Sequence, residues 1–328
     1  MFTMMAVNLE GSSVMMKSKL IIGAGLVAAV LSGHLHAQAE PETPTASFRT
    51  AIDVVRVAAV VRDRKGRFVT DLSAGDFQVL DDGQPRPITD FGRDVPGLSV
   101  ALLFDVSGSM ESQIANAREA ATHVLSWLDR HNDEAGVFRF DTRLDEALPF
   151  TTGLRELPQS MSRVVPFGAT SLLDATAGTA RRVGAREGRR RAVVVFTDGN
   201  DNASHMKPSE VSAIASVIDV PVYIVGVVSP IDNPSSETAT AADRSPLAGP
   251  LSDLAEWTGG HVFVASSPAQ RSQAARQIVD ELRHQYLIAF ESSGAPGWHP
   301  LVVRARNKDL VVRARSGYLA GQSRPNSL

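Results

Sequence analysis

The residues with the types and spacing to do chemistry lie in Asp105-Val106-Ser107-Gly108-Ser109. A carboxylate and two hydroxyls stand there at alternate positions, so their oxygens can share one side of a tight loop. Gly108 lets the backbone approach closely. Hard divalent cations take oxygen ligands, and Mg²⁺ takes about six in a near-octahedral array. Two more segments offer the same chemistry. Gly168-Ala169-Thr170-Ser171-Leu172-Leu173-Asp174-Ala175 places a hydroxyl at a loop-to-helix junction, and Thr197-Asp198-Gly199 places a second carboxylate after an apolar run. Each segment alone has an ordinary alternative, because Ser, Asp and Gly also make turns and helix N-caps.

These segments need a scaffold. Residues 98–104 are an apolar run interrupted only by Ser99, as in a parallel strand buried on both faces. Residues 109–129 follow as a helix, with Ile114, Ala117, Ala121, Val124, Leu125 and Leu128 on one face. Strands are predicted at 135–140, 144–150, 191–197, 222–228 and 261–265, and helices at 172–183, 209–218 and 251–257. Strands alternating with helices predict a doubly wound, mostly parallel α/β sheet. Ligands of such sheets bind at the carboxyl ends of strands, where Asp105 and Asp198 fall. The connection 229–250 is rich in Ser, Pro, Thr and Ala and has no apolar period. It reads as a surface lid or an insertion leaving the same edge of the sheet.

The two ends of the chain read as β. In 51–91, Asp81-Asp82-Gly83-Gln84 predicts a hairpin turn, and Pro85 and Pro87 confine the next strand to an edge. After a helix at 270–283, strands are expected at 285–290, 301–306 and 310–315. The last two carry the repeat Val-Val-Arg-Ala-Arg and read as a hairpin. Neither end has enough strands to fold alone. They are therefore expected to pair in one β-sandwich flanking the α/β domain. The expected divisions are 40–96, 97–266 and 267–328.

The Asp105-x-Ser107-x-Ser109, Thr170 and Asp198 elements, in this order and on this pattern, resemble the von Willebrand factor A domain and its metal-ion-dependent adhesion site. The resemblance covers roughly residues 97–266. It implies that Ser107, Ser109 and Thr170 supply hydroxyl oxygens to the metal, with Asp105 and Asp198 acting largely through water or one of them directly. The implied ion is Mg²⁺, with Mn²⁺ or Ca²⁺ as substitutes. The implied partner is a protein that offers an acidic side chain to the open coordination position. The segments 61–69, 76–83 and 283–287, with Gly317-Tyr318, also resemble the flanks of secreted bacterial proteins related to this family.

Composition bounds the alternatives. The chain has 328 residues, with 33 Lys+Arg against 36 Asp+Glu, and this near-balance argues against a nucleic-acid binder. It has no cysteine, which excludes disulfides, zinc–thiolate sites and cysteine nucleophiles. Lys17 and Lys19 precede an apolar run at 20–32 and then Ala37-Gln38-Ala39. That is the pattern of a cleaved signal peptide over 1–39, too short to span a bilayer. The mature protein is expected to be secreted or periplasmic, without a transmembrane segment. An enzyme reading would use Asp105 as the nucleophile of a Mg²⁺-dependent phosphoesterase. Ser107 stands where that chemistry needs a second carboxylate, so binding without catalysis is the main reading. A metal-free structural scaffold is the third. The histidines show no metal spacing. The arginines at 181, 182, 186, 189, 190 and 191 read as a solvated helix end, or as a dock for an acidic partner or anionic lipid.

Overall fold

The computed structural model describes residues 54–93, 95–217, 219–229, 247 and 249–320. The expected signal peptide and most of the 229–250 connection lie outside the described residues.

The N-terminal strands are β1 (Val54–Asp63), β2 (Phe77–Asp81), β3 (Gln84–Arg86) and β4 (Ile88–Gly92). β2 alternates buried and half-buried side chains and the first half of β1 alternates buried with more exposed ones, the mark of strands with one face on a core. The β2–β3 turn has positive φ at both Asp82 (50°) and Gly83 (76°), which the Asp-Gly pair tolerates. Pro85 sits in β3, the edge strand of its sheet.

The central domain begins with β5 (Leu98–Asp105), in which every residue is buried. A short 3₁₀ turn, Gly108–Ser112, separates it from α1 (Ile114–Trp127), so the regular helix starts later than its apolar period suggested. There follow β6 (Glu134–Phe140), β7 (Leu144–Thr152), α2 (Gln159–Ser162), α3 (Leu172–Gly184), β8 (Arg190–Thr197), α4 (Pro208–Val217), β9 (Val222–Val227), α5 (Pro250–Thr258), β10 (Val262–Ala265) and α6 (Pro268–Arg283). The sheet order is β10-β9-β8-β5-β6-β7, parallel except for β7. Apolar residues of α1 and α6 pack on one face, and those of α3, α4 and α5 on the other. From β5 the chain winds to β6 on one side, then crosses back to β8 on the other. The carboxyl ends of β5 and β8 therefore flank the point where strand order reverses.

The chain closes with β11 (Gln285–Glu291), β12 (Gly297–Ala305), β13 (Leu310–Ala314) and β14 (Gly317–Ala320). Both ends join in two antiparallel sheets, ordered β13-β1-β11-β4 and β14-β12-β2-β3, around a core that includes Val57, Phe77, Tyr286, Ile288, Phe290 and Tyr318. This is the flanking sandwich expected from the sequence. The expected hairpin of 301–306 with 310–315 does not form. β12 pairs with β2 and β14, whereas β13 pairs with β1 on the opposite sheet. The connection after β12 carries the chain from one layer to the other, so the repeated pentapeptides share a pattern but no ladder.

An ion cluster ties the sandwich to the α/β domain. Glu281 of α6 is fully buried; its carboxylate accepts hydrogen bonds from Arg62 of β1 at 3.1 Å and from Arg313 of β13. Tyr223 of β9 faces the same cluster, and burial raises its hydroxyl's pKa far above the usual phenol range. Part of the arginine run is solvated as expected, with Arg181, Arg182 and Arg186 exposed, and part makes specific contacts at the amino edge of the sheet. Arg186 donates to both oxygens of Glu134, at 2.7 and 2.8 Å, Arg191 donates to the Gly184 carbonyl, and Arg190 donates to carbonyls of Arg93, Arg283 and Gln285.

Candidate metal centre at the carboxyl edge of the sheet

Asp105 is the last residue of β5 and is fully buried. Its Oδ1 accepts the Ser107 N–H at 2.9 Å, and its Oδ2 accepts the Thr197 hydroxyl at 2.7 Å. Burial pushes its carboxyl up from the ordinary 3.8 to about 6. The bonds from Ser107 and Thr197 oppose that shift, and the charge of Asp198 adds to it. A carboxylate held in this state lacks a positive neighbour, and a bound cation would reverse the shift.

Ser107 opens the 3₁₀ turn, where a serine usually caps the helix with its side chain. Here the side chain makes no capping bond; Ser107 Oγ lies 3.2 Å from Ser109 Oγ. The Ser107 hydroxyl thus faces Ser109 and the Asp105 carboxylate instead of capping the helix.

The second loop is stitched to the first. Phe167 N–H donates to the Val106 carbonyl at 2.9 Å, and Gly108 N–H donates to the Gly168 carbonyl at 3.0 Å. Gly168 has φ of 88°, a turn that other residues adopt at a cost. Thr170, two residues on, is buried and held by its backbone: its N–H donates to Asn202 Oδ1 at 2.9 Å, and its carbonyl accepts from the N–H groups of Asn202 and Ala203. Asp198 follows β8 directly and accepts the Asn200 N–H at 3.1 Å. The fold thus brings the Asp105–Ser109 loop, the Thr170 loop and Asp198 to one edge of the sheet. The donors are all oxygens, carboxylate and hydroxyl, the set that suits Mg²⁺, Mn²⁺ or Ca²⁺.

Sequence reasoning missed the residues that fix this edge. Thr197 orients Asp105, and its Oγ1 also accepts the Gly199 N–H at 3.0 Å. Asn202 holds Thr170. Asp174 of α3 accepts the N–H groups of His205 and Met206, fastening the β8–α4 loop to α3. Thr197 and Asp174 lay within segments singled out in the sequence, though neither was given a role there; Asn202 is joined to Thr170 by the fold alone. Leu247, in the connection after β9, is buried over Gly199 and Gly226, so part of that connection is anchored beside Asp198.

A second cluster, Asp81, Asp82 and His299, lies in the sandwich. His299 Nε2 donates to the Ala295 carbonyl at 2.7 Å, while Nδ1 faces Asp82 at 2.8 Å and Asp81 at 3.1 Å. Arg86 also holds Asp81, at 3.1 Å. Burial lowers the His299 pKa, but the Ala295 bond and the two carboxylates outweigh it and raise the value above 6.5. Both ring nitrogens face acceptors, so a proton on Nδ1 takes the place a metal ion would need.

A mostly parallel α/β sheet with an oxygen-lined loop at its switch point belongs to the doubly wound class. Residues 100–200 match the von Willebrand factor type A domain, and the chain is a protein carrying that domain. Domains of this type are typically protein-interaction modules and often bind a divalent metal. Among solved structures, the chain is similar to an aerotolerance-related membrane protein from Bacteroides fragilis, with 19% identity over 56% of this chain and 100% of that one, at a TM-score of 0.47. It is also similar to a von Willebrand factor type A protein from Catenulispora acidiphila, with 14% identity over 81% of this chain and 72% of that one, at a TM-score of 0.42. No match is found among curated proteins. Among the described residues, no helix is long and apolar enough to cross a membrane.

Proposed function

We propose that this protein is an exported, non-enzymatic module that binds a protein ligand in a metal-dependent way. Ser107, Ser109 and Thr170 would hold a divalent cation through their hydroxyls, with Asp105 and Asp198 neutralising it directly or through water. When bound, the cation supplies an open coordination position for an acidic side chain of the partner. The observation that carries this reading is the buried Asp105 carboxylate, held by Thr197 and Ser107 beside a hydroxyl pair that caps nothing. The phosphoesterase alternative gains no support, because the residue two after Asp105 is Ser107. The leader at 1–39 supports export to the periplasm or beyond, and the anchored connection around Leu247 supports a role for 229–250 in ligand access.

The test is calorimetric titration of Mg²⁺ into wild type, Asp105→Ala and Ser109→Ala, with and without an acidic peptide. Metal affinity should be modest alone and rise when the peptide is present, and the peptide should gain the same factor from the metal. Both variants should lose this coupling and keep the fold. Equal metal binding by wild type and Asp105→Ala would end the assignment.

A further inference from the structure

The segment between α2 and α3 carries an apolar surface beside the proposed metal loop. Met161 is buried at its start, and the Val164 carbonyl accepts a hydrogen bond from Arg118 at 3.1 Å. At its far end Phe167 N–H is bonded to the Val106 carbonyl, and the Gly168 carbonyl to Gly108 N–H. The segment is therefore pinned at both ends, and the second pin is the loop of Asp105, Ser107 and Ser109. Between the pins Val165 and Phe167 stand outward, each 80% exposed, more than any other large apolar side chain among the described residues. Single exposed apolar residues are common and need no account. Two of them at alternate positions on an anchored segment are different: they offer apolar area whose backbone has little freedom left to lose on binding.

We propose that Val165 and Phe167 form an apolar shelf that selects a protein ligand in which the coordinating Asp or Glu has a bulky apolar residue as a near neighbour. The inference rests on the metal-dependent acid recognition proposed above. Phe167 is bonded to Val106, which lies between Asp105 and Ser107, so a ligand carboxylate drawn to that loop arrives next to the shelf. Adjacent residues of a ligand lie about 3.8 Å apart along its chain, so a near neighbour of the coordinating acid stays close to the segment that carries Phe167. A leucine there would leave water against Phe167 and Val165, whereas a serine would gain nothing. Apolar burial of that size favours the leucine-flanked ligand by about tenfold.

The experiment uses the full chain and immobilised peptides that carry one Asp or Glu flanked by either Leu or Ser. Binding is measured in Mg²⁺ and in chelator for wild type, Phe167→Ser, Val165→Ser and Asp105→Ala. The expected result is Mg²⁺-dependent binding by wild type with about a tenfold preference for Leu-flanked peptides. That preference should shrink to within about twofold in Phe167→Ser, while Mg²⁺ affinity by calorimetry stays unchanged. Such exposed positions can lose their side chains without unfolding, and thermal melts check this. Mg²⁺-dependent binding of both peptide sets alike, or a preference that survives both serine variants, overturns the shelf and leaves the metal reading standing. No Mg²⁺-dependent binding of any acidic peptide overturns both. If Phe167→Ser instead turns a dimer into a monomer without changing peptide preference, the surface belongs to a second copy of this chain and the inference fails.

Discussion

Replacing Asp105 with asparagine would keep the side chain's shape while removing its charge. In the metal-free protein the folded chain holds the Asp105 proton up to about pH 6, whereas the unfolded chain releases it near 3.8. Between these values the folded state binds more protons, so stability falls as pH rises through the window. A shift of roughly two units corresponds to about 3 kcal/mol of destabilisation, fully present at neutral pH. The amide introduced by Asp105→Asn can accept the Ser107 N–H and donate to Thr197 Oγ1, but the Thr197 hydroxyl then needs another acceptor, at a cost of about 1 kcal/mol. In chelator near pH 7.5, Asp105→Asn should thus be more stable than wild type by about 2 kcal/mol, or a rise in Tm of roughly 4–8 °C. The advantage should shrink as pH falls below 6, vanish near about pH 4.5, and reverse below that by up to about 1 kcal/mol, the cost of the lost Thr197 acceptor. Mg²⁺ should reverse the order, because it stabilises only the chain that binds it. Denaturant melts across this pH range, with Mg²⁺ and with chelator, provide the assay. A variant less stable than wild type in chelator at neutral pH would refute the argument, as would a gain of equal size at every pH.

The remaining predictions concern the frame. Glu281→Gln should destabilise the protein by about 3 kcal/mol in denaturant melts, because Arg62 and Arg313 keep their charges and lose the buried carboxylate between them; a loss under about 1 kcal/mol would mean that the cluster ties the layers only weakly. His299 contributes stability that is fully present below its unfolded pKa and is lost as pH rises through its raised folded value. The stability gap between wild type and His299→Gln should therefore be widest in acid and narrow toward alkaline pH, and a gap that widens with pH would contradict the imidazolium. Deleting residues 284–328 removes β11 and β13 from both sides of β1, and β12 from beside β2. Limited proteolysis should then cut within 54–92; continued protection there would show that the N-terminal strands stand alone.

What the sequence determined was local. The apolar run of 98–104, interrupted only by Ser99, reads as a strand covered on both faces, and the alternation of strands and helices after it left the doubly wound sheet as the economical solution. Asp82-Gly83 specified its turn through the positive φ that this pair accepts. The spacing of Asp105, Ser107 and Ser109 is local too, since a tight loop fixes which neighbours share a side. What the tertiary structure decided was every choice between distant partners. The 301–306 and 310–315 segments have the same pattern, yet one joins β2 and the other β1, because filling a two-layer core rewards opposite placement. At the start of α3 the Leu173 N–H donates to Ser204 and Asp201, about thirty residues on, while the Ser171 side chain caps nothing. Within the arginine run, Arg186, Arg190 and Arg191 found Glu134 and backbone carbonyls once folding brought those acceptors to them, while Arg181 and Arg182 stayed exposed. The exposure of Val165 and Phe167 was also decided by the fold, which pins their segment to the Asp105 loop and leaves both side chains outside the core.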